Sequence, residues 1–501
     1  MTRRRPVTGP QRPPGGVAVA ARDWHWRHAG RGRWAVSGLD LTIDPGERVL
    51  LLGASGSGKS TLMQGLAGLL DSDEDGDESG ALLVDGVPPA QRRSRIGMVL
   101  QNPDSQVILS RVGDDVAFGM ENFLVPRAEI WPRARRALAA VGLNLPLAHD
   151  TSHLSGGQKQ RLALAGVLAM APGLLLLDEP TANLDPAGVE EVRDAVTSAV
   201  EQSGATLIVV EHRTAVWLPV VDRVIVLGDD GHVVADGAPG DVMERQREGL
   251  RRAGVWVPGL DLPDLPRHRA PGATLVRAEG LSAGYPAGPP CSASTFEIAR
   301  GTTTVVTGPN GAGKSALALT VGGLLPPRQG RLAAESGFAP STDRPEPVRW
   351  RSRELLTRIG SVFQNPEHQF LTGSVHDELA LGPRALKRDR ATVTAVCDEM
   401  LDRLHLAHLA DANPYTLSGG EQRRLSVATV LATRPEMIIL DEPTFGQDRT
   451  TWEELLRLLA DIADRGTAVV AVTHDVDFAA LLADQHIELR PAAADAVAAP
   501  R

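Results

Sequence analysis

One long internal repeat limits the possible fold more than any other feature of the sequence. LSGGQKQR begins at Leu154 and LSGGEQRR at Leu417, while LDEPT begins at Leu177 and again at Leu440. Both pairs lie 263 residues apart (417 − 154 and 440 − 177). A repeat of this length predicts two copies of one domain, and 501 residues are enough for two domains.

Each copy starts with a GxxxxGK[ST] sequence that follows an apolar strand and precedes a helix-like run. Its glycines let backbone N–H groups surround phosphates, and the helix N-terminus adds positive potential. The chain has four lysines, and two of them, Lys59 and Lys314, occupy this place, which argues against a chance match. We predict that these lysines hold the β- and γ-phosphates of ATP and that Ser60 and Ser315 ligate Mg2+. The residues predicted to bind the nucleotide in these loops are Gly53, Ala54, Ser55, Gly56, Ser57, Gly58, Lys59, Ser60 and Thr61 in the first copy, and Gly308, Pro309, Asn310, Gly311, Ala312, Gly313, Lys314, Ser315 and Ala316 in the second.

Two acidic residues close a continuous apolar run in each copy, within the LDEPT sequence. Such a run is typical of a parallel strand that is buried on both faces. At the end of this strand, Asp178 and Asp441 are predicted to approach Mg2+. The next residues, Glu179 and Glu442, are predicted to polarise the attacking water as general bases.

A histidine follows a further apolar strand in each copy. His212 and His474 lie 33 and 32 residues beyond the glutamates (212 − 179 and 474 − 442). A single histidine in such a place is more often structural. Two at matching places predict a γ-phosphate sensor that also orients the catalytic water.

The LSGG sequences place glycine-rich backbone at the start of a helix, which is a second anion site in each copy. If the copies face each other head to tail, each LSGG caps the nucleotide held by the phosphate loop of the other copy. This intramolecular pairing gives two composite sites. The residues predicted to contribute are Ser155, Gly156, Gly157 and Gln158 for one site, and Ser418, Gly419, Gly420 and Glu421 for the other.

The bulk composition narrows the setting in which the chain works. A formal net charge of −10 argues against a general nucleic-acid surface. No stretch approaches the roughly 18 apolar residues of a membrane-spanning helix, so a membrane role would depend on partners. The two cysteines lie far apart without metal-ligand spacing, so they suggest neither a disulfide framework nor a zinc site, and this fits a reducing cytoplasm. The predicted boundaries are a disordered tail (1–16), a first domain (17–243), a proline-rich linker (244–273), a second domain (274–490) and a flexible tail (491–501).

The order of these motifs resembles the ATP-binding-cassette (ABC) family in both copies. The resemblance implies an α/β fold with two P-loop NTPase nucleotide-binding domains in tandem, each with an antiparallel β part and a helical signature subdomain. It implies ATP hydrolysis with Mg2+, and it adds Gln101 and Gln364, in the glutamine loops, to the catalytic and Mg2+-binding residues. The family stacks adenine on an aromatic side chain, which is predicted to be Tyr285 in the second copy and Trp26 in the first, with Trp24 and Trp34 as alternatives.

A narrower resemblance is to the ATPase subunits of energy-coupling-factor importers, which take up vitamins, vitamin precursors and transition metals. It rests on QNPDSQ and QNPEHQ, on DDVAFG and DELALG, and on FGQD at Phe445. It implies two partners, a transmembrane coupling protein and a separate substrate-binding membrane protein, at the cytoplasmic face of the cell membrane. Two alternatives remain: a soluble tandem ABC ATPase that acts on ribosomes, although such proteins usually carry a long basic helical arm, and the fused ATPase of another importer class.

Overall fold

The computed structural model describes residues 15–30, 32–54, 56–71, 75–100, 105–181, 184, 186–259, 261–265, 271–286, 288–417, 419–444 and 447–490. The chain divides into two compact units, with the division close to residue 260. These units correspond to the two copies of the repeat. The predicted tails lie outside the described residues, except for Gly15 and Gly16.

The first unit contains two sheets. Its strands are β1 (Val19–His28), β2 (Val36–Ile43), β3 (Arg48–Gly53), β4 (Gly76–Val84), β5 (Ile96–Val99), β6 (Leu174–Asp178), β7 (Thr206–Val210), β8 (Arg223–Leu227) and β9 (Val233–Gly237). An antiparallel sheet has the order β2-β1-β4, and the other sheet has the order β5-β6-β7-β3-β8-β9. The second sheet is parallel apart from β9, which pairs antiparallel with β8.

The larger sheet is covered on both faces, which explains the continuous apolar runs in the sequence. Val49 and Leu51 of β3 pack in one hydrophobic cluster with the antiparallel sheet, and Leu50 and Leu52 pack in another with the helices. The helices of the first unit are α1 (Lys59–Leu66), α2 (Val112–Asn122), α3 (Arg127–Ala140), α4 (Gly156–Ala169), α5 (Pro186–Ser203), α6 (Thr214–Trp217), α7 (Pro239–Arg245) and α8 (Arg247–Arg252). Among them, α2, α3 and α4 pack on one another as a helical part.

The second unit repeats this plan. Its strands are β10 (Thr274–Ser282), β11 (Ser294–Ala299), β12 (Thr303–Thr307), β13 (Gln329–Ala334), β14 (Ile359–Val362), β15 (Met437–Asp441), β16 (Ala468–Val472) and β17 (Gln485–Glu488). The antiparallel sheet has the order β11-β10-β13, and the parallel sheet has the order β14-β15-β16-β12-β17. Its helices are α9 (Lys314–Val321), α10 (Ser352–Leu356), α11 (Val375–Ala385), α12 (Arg390–Arg403), α13 (Gly419–Leu431), α14 (Arg449–Asp464) and α15 (Val476–Leu482). The predicted α/β class, with an antiparallel part and a helical part in each copy, is confirmed.

The structure differs from the predicted linker at its start. Residues 244–257 begin with the end of α7 and with α8, and Leu250, Val255 and Val257 are buried in the hydrophobic cluster of the first unit. The Thr214 hydroxyl also donates to the carbonyl oxygen of Trp256. Apolar residues spaced through this segment therefore fix it to the first unit, despite the prolines that follow.

The second half of the acidic segment 71–79 forms the start of β4. Asp77 pairs with Arg27 at 2.7 Å, and Glu78 accepts a hydrogen bond of 2.8 Å from Trp24 Nε1. These acidic residues are therefore cross-strand partners of β1.

In the part of the chain that the structure describes, no helix combines the length and the apolar character needed to cross a bilayer.

Candidate active sites

The phosphate loops follow β3 and β12, and each ends in a glycine with a left-handed backbone. Gly58 and Gly313 have φ values of 84° and 90° and directly precede α1 and α9. A Cβ at Gly58 would lie 2.5 Å from the carbonyl oxygen of Ala35, and one at Gly313 would lie 2.7 Å from Cβ of Cys291. Glycine alone fits these places, so each helix begins directly after its loop.

A second glycine in each loop faces open space. Gly56 and Gly311 have φ values of 82° and 79°, and a Cβ at either would have no atom within 4 Å. In the first loop, Lys59 Nζ donates to the carbonyl oxygens of Gly53 at 2.9 Å and of Ala54 at 2.8 Å. An open glycine loop with a fixed ammonium group is suited to bind phosphate.

The second lysine makes the same contacts and one more. Lys314 Nζ donates to the carbonyl oxygens of Gly308 at 2.8 Å and of Pro309 at 3.1 Å. It also lies 2.9 Å from Nε2 of His474. The phosphate loop and the predicted phosphate sensor therefore meet in the second unit.

A serine and an aspartate meet at the place expected for Mg2+ in each unit. The Ser60 hydroxyl is hydrogen-bonded to Asp178, and the Ser315 hydroxyl to Asp441. Oδ1 of Asp441 is buried and has no hydrogen-bond partner among the described residues. Burial, together with the charge of Glu179, raises the pKa of Asp178 to about 6. Hard oxygen ligands, one of them with spare acceptor capacity, fit Mg2+.

The glutamate after each aspartate has a strained backbone. Glu179 and Glu442 both have a φ of 50°, a left-handed conformation that residues with a side chain rarely adopt. Their N–H groups donate to the carbonyl oxygens of Val210 at 2.9 Å and of Val472 at 2.8 Å. The same strain at the same place in both units is typical of functional sites.

The two histidines face these glutamates. His212 Nε2 lies 3.2 Å from Oε1 of Glu179, and His474 Nε2 lies 3.6 Å from Oε1 of Glu442. Burial alone would lower the pKa of His212, but its hydrogen bond to Glu179 and the charge of that carboxylate outweigh burial and raise it. Burial, followed by the charge of Asp441, raises the pKa of Glu442 to about 7. This value suits a general base that works near neutral pH.

The pKa of Glu442 gives a pH prediction for the second site. In a Glu179→Gln variant, which retains only Glu442 as a base, kcat/KM for ATP is expected to fall about tenfold for each pH unit below about 7. The reason is that protonated Glu442 cannot accept a proton from water. Steady-state rates of ATP turnover, measured between about pH 5.5 and 7.5, test this prediction. Recovery of activity after return to neutral pH shows that the enzyme has stayed folded. A flat profile between about pH 5.5 and 7.5 would contradict it.

The LSGG sequences begin α4 and α13. The Ser155 hydroxyl accepts a 3.3 Å hydrogen bond from the N–H of Gln158, and Oε1 of Gln158 accepts one of 3.0 Å from the N–H of Ser155. Ser155 therefore caps its own helix. A Cβ at Gly156, Gly419 or Gly420 would have no atom within 4 Å. The glycine backbone at these helix starts is thus open to a ligand.

Gly157 and Glu421 lie in the first turns of α4 and α13. Three predicted site residues lie outside the described residues: Ser55, Gln101 and Ser418.

The comparison with protein families agrees with this geometry. The family model described as "ABC transporter" matches residues 36–182 and 291–445, one stretch in each unit. The chain belongs to the ABC transporter family. It is an ABC-type ATPase, and its two units are ABC cassettes in tandem.

Relatives and solved structures support this assignment. A Bacillus subtilis (strain 168) protein, named as a candidate HMP/thiamine import ATP-binding protein, YkoD, is 34% identical over 481 residues, which cover 90% of this chain and 86% of the relative. A candidate ABC transporter ATP-binding protein of Methanosarcina acetivorans is 33% identical over 513 residues, covering 91% and 81%. Archaeal ribosome recycling factor aABCE1, solved with the ribosomal stalk protein aP1, has a TM-score of 0.62 at 21% identity and covers 94% of this chain and 89% of its own. At that identity the likeness shows the fold alone.

The glutamine loop of the second ABC cassette is held by the signature helix. Gln364 is exposed, and its carbonyl oxygen accepts a 2.6 Å hydrogen bond from Nη2 of Arg423 in α13. Arg423 is buried close to Asp441 and Glu442, and burial lowers the pKa of its guanidinium group. Arg423 was not among the predicted site residues, although it stands in the repeated LSGGEQRR sequence.

The prediction that Trp26 stacks on adenine in the first ABC cassette is wrong. Trp26 is 1% exposed within a hydrophobic cluster, so neither face of its ring is accessible, and Trp24 is equally buried. Trp34 is partly exposed, but Arg27 lies over its ring, 5.1 Å from the centroid. The side chain of β1 that reaches the nucleotide loop is His28.

His28 ends β1, and its Nε2 lies 3.2 Å from the hydroxyl of Thr61, just after the phosphate loop. In the second cassette, Tyr285 is 53% exposed, as a stacking residue must be. Burial, followed by the charge of Asp441, raises the pKa of Tyr285. Stacking of adenine on Tyr285 stays a prediction for the second cassette.

Proposed function

We propose that the chain is the ATP-hydrolysing energy-coupling subunit of an importer of the energy-coupling-factor type. It works at the cytoplasmic face of the cell membrane with a transmembrane coupling protein and a separate substrate-binding membrane protein. The substrate class is a vitamin, a vitamin precursor or a transition metal. One relative, matched over nine-tenths of this chain, is named for HMP/thiamine import, which favours the vitamin class.

The observation that carries this proposal is an exposed apolar residue just beyond the glutamine loop in both cassettes. Ile108 is 62% exposed and Leu371 is 81% exposed. Each is held by a buried or half-buried carboxylate: Asp115 accepts the N–H of Ile108 at 2.8 Å, and Glu378 accepts that of Leu371 at 2.9 Å. A backbone fixed in this way presents an apolar side chain to a partner, which suits contact with a membrane protein.

The second glutamine of each QNPxxQ sequence supports the same reading. Gln106 accepts a 2.8 Å hydrogen bond from the N–H of Leu100 and donates one of 3.1 Å to the carbonyl oxygen of Met98. Gln369 donates to the carbonyl oxygen of Ser426 at 2.9 Å and to the Thr429 hydroxyl at 2.7 Å, both in α13. These bonds join the glutamine-loop region to the catalytic sheet in one cassette and to the signature helix in the other.

The glycines of DDVAFG and DELALG complete this connection. A Cβ at Gly119 would lie 2.6 Å from Sδ of Met170, and one at Gly382 would collide with Thr433. Glycine therefore lets α2 and α11 approach the ends of the signature helices closely. A displacement of the glutamine-loop surface would thereby be transmitted to the signature helix through packed elements.

Hydrolysis in the proposed sites uses the residues that the geometry brings together. Glu179 and Glu442 accept the proton of the attacking water, while His212 and His474 hold these glutamates and sense the γ-phosphate. Mg2+, held by the serine and aspartate of each site with Gln101 or Gln364, would neutralise phosphate charge.

Affinity isolation of the tagged chain from detergent-solubilised membranes tests the proposed partners. We expect integral membrane proteins to copurify. Ribosomal subunits without a membrane protein would overturn the proposal.

A surface variant makes this test specific. The double change Ile108→Glu and Leu371→Glu is expected to reduce copurification at least about tenfold, because each change places a charge in an apolar contact. ATP turnover of the free chain should stay unchanged. The control is Val234→Glu, which adds the same charge at an exposed apolar residue of β9. Equal losses for the control and the double variant would contradict the assigned surface.

A further inference from the structure

The two cassettes differ at the residue just before the predicted phosphate-sensing histidine, which is His212 in the first cassette and His474 in the second. The first cassette has Glu211 and the second has Thr473. Glu211 is buried, its Oε1 accepts a 3.1 Å hydrogen bond from the N–H of His212, and its Oε2 accepts one from the Thr181 hydroxyl. Thr181 lies two residues after Glu179, so one buried carboxyl group is bonded next to both predicted catalytic residues.

The corresponding residues of the second cassette form different hydrogen bonds. The Thr473 hydroxyl accepts a 3.0 Å hydrogen bond from the N–H of Asp475. The N–H of His474 donates to Oε2 of Glu442, with a separation of 3.4 Å. The backbone therefore engages the general base itself in the second cassette, whereas in the first cassette Glu211 receives that N–H.

The consequence appears in the distance between base and histidine. Where Glu211 takes the backbone N–H, Oε1 of Glu179 lies 3.2 Å from Nε2 of His212. Where the general base itself accepts this N–H, the corresponding separation between Oε1 of Glu442 and Nε2 of His474 is 3.6 Å. Burial, followed by the charge of Glu179, raises the pKa of Glu211, as expected for a carboxyl group held close to a like-charged neighbour.

We propose that Glu211 is a positioning residue for ATP hydrolysis in the first cassette. By binding the Thr181 hydroxyl and the backbone N–H of His212, it fixes the loops after β6 and β7 against each other. The Glu179 carboxylate then contacts the ring of His212 instead of the backbone N–H. The second cassette lacks this device, so the two sites differ in how firmly the base is held. This inference rests on the proposed roles of Glu179 and His212.

Glu211→Thr tests the proposal, because the second cassette tolerates threonine at this position. In a Glu442→Gln background, which reports the first site, we expect kcat to fall about tenfold while KM for ATP stays unchanged, since misplacing a catalytic group affects the chemical step. Glu211→Gln should fall between Glu211→Thr and the parent, because its amide oxygen can accept one of the two hydrogen bonds. This isosteric variant also keeps the test valid if threonine impairs folding.

The control variant is Asp222→Asn. Asp222 accepts hydrogen bonds from the backbone and side chain of Arg48, at the start of β3 and far along the strand from the phosphate loop. It should change the melting temperature without changing kcat. A purely structural Glu211 would behave like this control. An unchanged kcat in Glu211→Thr, or a fall accompanied by a matching rise in KM, would overturn the proposal.

The Glu442→Gln variant, in which Glu211→Thr is tested, needs its own measurement of ATP turnover. If Glu442→Gln alone stops ATP turnover, the two sites are not independent, and the expectation that each site turns over by itself is wrong. Glu211→Thr in the otherwise unchanged chain then carries the test, and the full fall of about tenfold should appear there.

Discussion

Changing Glu179 and Glu442 together to glutamine is expected to lower ATP turnover by about 10² to 10⁴-fold, the usual contribution of a general base. Glutamine keeps the size and hydrogen-bonding ability of the side chain but cannot accept the proton of water. Both glutamates share a φ of 50° and a hydrogen bond to the neighbouring strand, so the backbone should hold glutamine in the same place. ATP binding should therefore persist, and equilibrium binding of a labelled nucleotide beside the rate measurement separates the two effects.

The single variants show whether both sites work. Each should retain part of the turnover, because each leaves one base in place. Glu378→Gln is the control, since Glu378 is a buried carboxylate that accepts backbone N–H groups away from the catalytic residues. Wild-type turnover in both single variants would contradict the assignment of these glutamates.

Replacing a phosphate-loop lysine by alanine should weaken ATP binding at that site about 10- to 100-fold, the effect of losing one or two charge-assisted hydrogen bonds. The Lys59 ammonium is buried and lies against the loop carbonyl groups. Burial lowers the pKa of Lys59, while Glu179 and Asp178 oppose this shift. Lys59→Ala would remove the cation beside these carboxylates, so the site should also become more negatively charged.

Calorimetric titration with ATP measures this effect on each of two binding events. Lys59→Ala and Lys314→Ala should each weaken one event about 10- to 100-fold, and the double variant should weaken both. Lys387→Gln, an exposed lysine in the turn after α11, is the control. Two unchanged binding events in the double variant would show that ATP binds elsewhere.

The parts of the site that depend on local sequence were predictable. A glycine loop, a lysine and a helix start follow one another along the chain, and sterics at Gly58 allow few other arrangements. The acidic pair at the end of β6 was predictable for the same reason, since an apolar run ends at the edge of a parallel sheet.

The misplaced Trp26 shows what such patterns cannot supply. β1 contains register shifts between Ala21 and Trp24 and between Trp24 and Trp26, and Asp23 has a φ of 47°. A bulge changes which face of the sheet a residue occupies. The family resemblance pointed to a tryptophan of this irregular strand, but Trp26 packs in the core, and it is His28, two residues later, that reaches the loop.

Long-range partners account for the other omissions. Glu211 and Arg423 are hydrogen-bonded to Thr181 and to Gln364 of the glutamine loop, which are 30 and 59 residues away along the chain. Nothing in the local pattern indicates that these side chains meet. The linker was placed too early for a similar reason, because the core that covers Leu250 comes from distant elements.

If the chain couples ATP hydrolysis to import as we propose, a membrane partner controls the ATP turnover of this tandem ATPase. The most direct test compares the rate of ATP turnover of the chain in the complex isolated from membranes, placed in lipid vesicles, with the rate of the free chain. We expect the rate in the complex to differ at least about threefold, because the surface that we propose for the partner lies on elements packed against the signature helices. The Glu179→Gln and Glu442→Gln double variant in the same vesicles should be inactive. Equal rates for the complex and the free chain would contradict the account.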